Sequence, residues 1–330
     1  MKAILVTGGA GFIGSHLADY IIENGDSTVV VLDDLSGGFV KNIHPKAIFV
    51  KGTITNRQLI NQLFRKYRFT YVYHLAAYAA EGLSHFIKRF NYMNNLIGSI
   101  HLINASVNFN VRCFAFTSSI AVYGTNKLPM TEDLKPKPED SYGIAKYAVE
   151  KELEVTHTLF GLPYVIFRPH NVYGERQNIG DKYRNVIGIF MNNILQGKDL
   201  IIFGDGKQIR AFSYIKDIIP GIAQSVANKR THGQIFNIGS DIPTSVNELA
   251  EEVMEIMGRR VPIRHVRERK EVKNAYSNHA KFKKFFPKFR ETSLTVGLEA
   301  MTQWVKTEGA RKSKRFKNIE IRKNLPQTWG

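Results

Sequence analysis

The chain has 330 residues, 43% hydrophobic and 23% charged, with a formal net charge of +17. That length exceeds the usual limit of one hydrophobic core, and the composition is ordinary for a globular protein, which excludes a disordered or fibrous chain. No segment is long and apolar enough to cross a bilayer, and Cys113, the only cysteine, excludes an intrachain disulfide.

With no signal-peptide pattern in "MKAILVTGGAGF", the expected location is the cytoplasm. The excess charge is concentrated at one end. From Arg264 to Gly330 there are 18 Lys and Arg against 6 Glu and no Asp, a net of +12. That region lacks a zinc-ligand pattern or an RNP-type aromatic signature, so its run "RKSKRFK" reads as a solvated surface. Neither a metal nor a specific nucleic-acid partner is expected.

The first element is the buried strand "KAILVTG", which runs into "VTGGAGFIGSHL" at the mouth of a helix. Gly8, Gly11 and Gly14 stand in that turn, and Gly9, Gly11 and Gly14 also satisfy G-x-G-x-x-G. One glycine permits the tight turn, one lets the backbone approach a diphosphate, and one allows close helix–sheet packing, with helix amides facing the anion. The second strand, "STVVVLDD", ends in Asp33, 19 residues beyond Gly14. A carboxylate there accepts from both ribose hydroxyls of NAD and repels the extra phosphate of NADP, so NAD is the expected cofactor.

Further strands follow in "AIFVKG", "TYVYHLAA", "RCFAFTSS" and "PYVIFRP", separated by amphipathic patterns such as "NNLIGSIHLINASVNF". Strand and helix in alternation imply an α/β fold, a doubly wound parallel sheet of Rossmann type with helices on both faces. The fifth strand ends in three hydroxyls, Thr117, Ser118 and Ser119, followed by Ile120 and Ala121. Parallel sheets bind ligands beyond the carboxyl ends of their strands, so these hydroxyls point toward the cleft, although Thr117 and Ser118 also suit capping of the following turn.

"SYGIAKYAVEKEL" then places Tyr142 and Lys146 four apart on one helix face. A lysine ammonium and an oxidised nicotinamide both favour phenolate, which predicts an activated acid/base, with Ser119 sharing the developing alkoxide charge. By spacing alone the pair also reads as a surface pair.

After residue 171 the rhythm becomes irregular, and "GQIFNIGS" reads as a strand returning to the first sheet. The expected division is a dinucleotide-binding domain over 1–170, revisited around 212–239, and a smaller interleaved lobe over 171–330.

Taken together, "TGGAGFIGSHL", "HLAA", "SSIAVYG", "YGIAK", "RPHNVYG", "FGDGKQIRAFSYIKD" and "FNIGS" resemble the extended short-chain dehydrogenase/reductases. Within them the chain is most similar to the NAD-dependent epimerase/dehydratase family, and there to the UDP-glucose 4-epimerases. The resemblance implies Ser119, Tyr142 and Lys146 as the catalytic set. It places Phe12, Ile13, Asp34, Ser36, Gly37, Leu75, Ala76, Ala77, Asn95, Thr117 and His170 near the cofactor. Where an adenine-binding Asp commonly stands, this chain has Thr53, so adenine would rest on the Thr53–Ile54 backbone. For the nucleotide diphosphate and sugar the resemblance implies Asn171, Asn185, Phe203, Arg210, Arg269 and Ala275, with Arg269 also readable as a surface charge.

Relatives that remove water carry an Asp-Glu pair, and decarboxylating ones a Glu, where this chain has Ile120 and Ala121. The implied reaction is therefore epimerisation of a UDP-sugar at carbon 4, by oxidation and re-reduction, in a homodimer. Ala275, small where some epimerases are bulky, extends the expectation from UDP-glucose and UDP-galactose to the N-acetylated pair. A keto-sugar reductase and an inactive nucleotide-binding protein are the alternatives.

Overall fold

The computed structural model describes residues 2–269, 271–313 and 315–329. Lys270 and, within the basic run, Lys314 lie outside the described residues. Seven parallel strands form the central sheet: β1 (Ala3–Thr7), β2 (Thr28–Asp33), β3 (Ile48–Lys51), β4 (Tyr71–His74), β5 (Cys113–Thr117), β6 (Tyr164–Pro169) and β7 (Gln234–Ile238). Their order is β7-β6-β5-β4-β1-β2-β3, the doubly wound arrangement whose order reverses between β1 and β4.

Side chains alternate across the sheet, so each strand feeds two cores. Ile4, Val6, Val29, Val31 and Phe167 face one layer, while Leu5, Val30, Leu32, Phe114 and Ile166 face the other. The first layer holds α1 (Phe12–Glu23), and the second holds α2 (Arg57–Tyr67), α3 (Gly98–Asn108) and α4 (Ser141–Phe160). Local chemistry sets these boundaries. Asn56 caps α2 by accepting from Leu59 N, and Asp140 caps α4 by accepting from Gly143 N at 2.9 Å. Gly161, at φ +71°, ends α4 in the left-handed conformation that glycine adopts without strain.

The remaining chain forms a lobe against the α1 layer. It contains α5 (Val186–Gln196), α6 (Ile215–Ser225), α7 (Val246–Met257) and α8 (Leu294–Glu308), with short pairings of 200–203 on 263–266 and of 209–211 on 243–245 and 274–275. Ser245 and Glu248 form a reciprocal capping box at the start of α7. The lobe and the first layer share one continuous apolar core, from Val6 and Leu17 to Phe190, Leu249 and Met301. The basic run is only partly free, because Arg311 pairs with Glu308 and lies 4.4 Å over the Phe39 ring. No helix among the described residues is long and apolar enough to cross a membrane.

Candidate active site

The turn after β1 is shaped for close backbone approach. Gly8 has φ +72°, and a Cβ on it would lie 2.8 Å from Ala76 N. A Cβ on Gly14 would lie 2.2 Å from the Gly8 carbonyl oxygen. Gly11 precedes α1 without a side-chain cap, and no acid occupies the first turn, so the helix amides and positive dipole end face the cleft. Asp33 accepts from Leu35 N at 2.7 Å and from Ala10 N at 3.1 Å. Burial raises its carboxyl above the usual value while those two amides oppose the rise.

At the end of β5 the three hydroxyl residues do different things. The Thr117 carbonyl accepts from Lys146 Nζ at 2.7 Å. Ser118 turns away and donates to the buried Glu150 at 2.5 Å, which also holds Arg168. Ser119 Oγ accepts from Ala121 N and shares a hydrogen bond with the Tyr142 phenol. Of the three, Ser119 is the one whose hydroxyl is bonded to Tyr142.

Burial pushes the Tyr142 phenol upward, the Ser119 hydrogen bond opposes this, and the carboxylates of Asp140 and Glu81 add to the rise. Burial pushes Lys146 down to about 7, against the charge of Glu150. The expected lowering of the phenol by Lys146 is thus not achieved by the chain alone. The ammonium lies 5.8 Å from the Tyr142 ring centre and is bonded elsewhere.

A cavity of about 370 Å³ joins the glycine turn to Tyr142. Gly8, Gly11, Phe12, Ile13 and Gly14 line one stretch, and Asp33, Asp34, Ser36, Gly37, Thr53 and Ile54 line the next. Leu75, Ala76, Ala77 and Thr117 follow, then Ser119, Tyr142, Lys146, His170, Asn171 and Asn185. Five expected residues do not line it. Asn95 instead bonds both backbone groups of Tyr78, accepting from its N at 2.8 Å. Ala275 packs against Val122, Tyr123 and Met130, a cluster that Ile120 also joins.

Arg210 is spent on the carbonyls of Ile209, Val272 and Lys273. Arg269 is held by Glu271 and lies 4.6 Å over Phe203 and 5.6 Å over Trp329. This aromatic cluster stands directly behind Gly82, whose added Cβ would meet Trp329 at 3.1 Å.

Tyr78, Glu81, Tyr183 and Arg184 line the cavity without having been singled out. Glu81 follows the carboxyl end of β4, where the rule for parallel sheets points. It lines the cavity as an exposed residue, and desolvation in the cleft, with the neighbouring Asp140 carboxylate, raises its carboxyl above the usual value. Tyr183 and Arg184 lie in a turn-rich loop with no periodicity to flag them.

His170 bonds the Ala211 carbonyl at 3.0 Å and His279 at 2.9 Å, and burial, with the His279 charge, pushes it down to about 3. Among the described residues no group of three or more His, Cys, Asp or Glu is placed to hold a metal ion. The glycine cradle, the uncapped helix start and the buried Asp33 fit a dinucleotide.

The chain matches the model of the NAD-dependent epimerase/dehydratase family over residues 4–239. A putative UDP-glucose 4-epimerase of Methanocaldococcus jannaschii is 36% identical over 306 residues, covering 92% of this chain and 98% of that protein. The crystal structure of a Thermotoga maritima UDP-glucose 4-epimerase with UDP-glucose aligns with a TM-score of 0.87 at 34% identity, covering 93% and 99% of the two chains. A Bacillus cereus UDP-glucuronic acid 4-epimerase, in complex with UDP-glucuronic acid and NAD, aligns with a TM-score of 0.85 at 30% identity, covering 93% and 100%. The chain belongs to the NAD-dependent epimerase/dehydratase family, and its cofactor is NAD.

Proposed function

We propose that the protein interconverts UDP-hexoses at carbon 4, with UDP-glucose and UDP-galactose as the first substrate pair and the N-acetylated pair as the second. One observation carries the reading: Ser119 and Tyr142 are hydrogen-bonded beside Lys146 in the cavity that begins at the glycine turn, while Ile120 lines it where elimination enzymes carry a carboxylate.

The glycine turn and Asp33 would hold NAD, with Tyr142 and Lys146 at its nicotinamide end. NAD held there would supply the oxidation at carbon 4 and the re-reduction from the opposite face of the same carbon. Tyr142 takes the proton from the carbon-4 hydroxyl and gives it back, and Ser119 donates to the oxygen on which charge develops. Lys146, fixed by its bond to the Thr117 carbonyl 5.8 Å from the Tyr142 ring centre, would when protonated add to the charge of an oxidised nicotinamide in favouring phenolate. Asn171 and Asn185, which line the cavity, would supply polar contacts at the sugar end, and the acetamido pair is included on the resemblance at Ala275 alone, a residue that does not itself line the cavity.

We infer further that two copies pair through α3 and α4. Ile97 lies just before α3, and Ile144, Val155 and Leu159 form one exposed apolar face of α4.

The test uses the purified protein without added cofactor. Bound NAD is released and quantified, and a panel of UDP-sugars, including acetamido and uronic forms, is followed by chromatography. Interconversion of a carbon-4 pair that Tyr142→Phe abolishes supports the reading. Consumption of free NADPH, or nucleotide binding without turnover of any sugar, would replace it with a reductase or a binding protein.

A further inference from the structure

Diphosphates carry two negative charges, and a closed site that holds one needs a cation as well as backbone amides. Of the residues lining the cavity, only Lys146 and Arg184 are Lys or Arg. Lys146 is committed to the Thr117 carbonyl beside Tyr142. Arg210 and Arg269, the cations expected for a nucleotide diphosphate, lie outside the cavity and are bonded to carbonyls and Glu271. Arg184 is therefore the one cavity cation left for an anionic ligand among the described residues.

Its placement says which part of the cavity it serves. Arg184 Nε is fixed by Asp181 at 2.7 Å, and its guanidinium lies 4.7 Å over the Tyr78 ring. The far edge reaches across the cleft, so that a Cβ built on Gly37 would lie 3.0 Å from one terminal nitrogen. Gly37 is in turn tied to the glycine turn. A Cβ on its neighbour Gly38 would lie 2.6 Å from the Ala10 carbonyl carbon, and Phe39 N donates to Ala10 O at 2.9 Å. The guanidinium thus faces the start of α1 from the opposite wall. At its other side it is close enough to Tyr142 for the two to shift each other's ionisation.

We propose that Arg184 clamps the dinucleotide's diphosphate: the α1 amides hold it from below, and this guanidinium, carried by the lobe, closes over it from above. The glycine at 37 leaves the space for that closure. Asp181 and Tyr78 pre-set the planar fork, so little rotamer freedom is lost on binding. The clamp ties cofactor retention to the docking of lobe on sheet domain, which suits a reaction in which the same NAD gives back what it took.

The nucleotide sugar also carries a diphosphate, so the experiment has two arms. Purified parent, R184Q and R184K are freed of nucleotide by mild denaturation and refolding, and NAD and UDP are titrated separately by calorimetry. Retention of NAD through gel filtration is measured in parallel on protein as purified. Loss of one charged hydrogen-bonding group predicts a rise of about 10- to 100-fold in the NAD dissociation constant of R184Q. R184K should fall between, because an ammonium supplies charge without the fork. UDP affinity should change less than about 3-fold.

Asp181→Asn leaves the guanidinium charged but frees the fork and removes a carboxylate that repels the diphosphate, so weaker NAD binding there supports the pre-set fork and unchanged or tighter binding counts against it. NAD binding equal to parent in R184Q, with circular dichroism unchanged, would overturn the proposal. So would a loss confined to UDP, which would assign Arg184 to the substrate.

Discussion

Lys146 donates to the Thr117 carbonyl at 2.7 Å, on the helix face it shares with Tyr142. This bond joins α4 to the end of β5 at the point where Ser119 leaves the sheet, so one lysine fixes the spacing of both hydroxyl-bearing residues. Burial lowers Lys146 to about 7 and raises the phenol above its ordinary value, so in the chain alone the phenol is a poor base. The positive charge of an oxidised nicotinamide held beside Tyr142 would favour the phenolate. Tyr142→Phe should therefore retain NAD and lose interconversion by about 10²- to 10⁴-fold, the range for removing a general acid/base. Lys146→Met should lose as much while changing the pH profile of any residual rate. Full activity in either variant would end the scheme.

Behind the site, Arg168 and Glu150 form a bidentate pair with side chains 2% and 0% exposed, and Arg168 also donates to Tyr123 at 2.8 Å. Neither group reaches the cavity. Glu150→Gln leaves a buried guanidinium without its counter-charge and should cost about 3–5 kcal/mol in chemical denaturation. Adding Arg168→Met to Glu150→Gln should recover much of that loss, since an apolar replacement removes the stranded charge. A loss below about 1 kcal/mol in the single variant would mean that the pair is solvated.

The sheet was legible because each strand is a short buried run and its first boundaries carry their own chemistry, the glycines after β1 and Asp33 at the end of β2, whereas the caps Asn56 and Asp140 were found only in the structure. Tyr142, Lys146 and Ser119 were legible for the same reason, since helix period and strand end fix where their side chains point. The wall contributed by the lobe was not. Arg184 and Tyr183 lie in an aperiodic loop, and Trp329 reaches Tyr183 from 146 residues away in sequence, so no local pattern announces either contact. Arg210 shows the opposite failure. Its residue type suits a diphosphate, but the backbone carbonyls of Ile209, Val272 and Lys273 claim its donors.

Gly14 has no tolerance for a side chain. The added Cβ would stand 2.2 Å from the Gly8 carbonyl oxygen and 2.9 Å from Gly9 Cα, both backbone atoms that cannot rotate away. Gly14→Ala should open the turn and raise the helix start off the sheet. Bound NAD in the purified variant should drop below detection by absorbance, with helix content nearly unchanged. Full NAD occupancy would show that the turn relaxes more cheaply than its packing implies.

The exposed apolar face of α4 predicts a dimer. Leu159 is 68% exposed and Val155 50%, an arrangement that a second copy would cover. Light scattering should give twice the chain mass, and Val155→Glu with Leu159→Glu should give the single mass. A monomeric parent at micromolar concentration would refute the pairing.

Asp241 gives the protein a pH dependence of stated sign. Its two oxygens accept from His279 Nδ1 and Lys283 Nζ, each at 2.6 Å, while Glu291 shares Lys283 and His170 lies beyond His279. Partial burial pushes the carboxyl up, but the two hydrogen bonds and charges outweigh it and hold it well below the usual carboxylate range. The native state then binds fewer protons at Asp241 than the unfolded chain does. Its stabilisation is complete above the ordinary value near about 4 and is lost as the pH falls toward the depressed native value. Asp241 is 39% exposed, and solvent screening keeps the contribution to about 1 kcal/mol. Asp241→Asn should be less stable than parent by about that much at pH near 6, and the gap should narrow as the pH is lowered toward about 3. A gap that stays constant with pH would show that the contact acts through packing, not through charge.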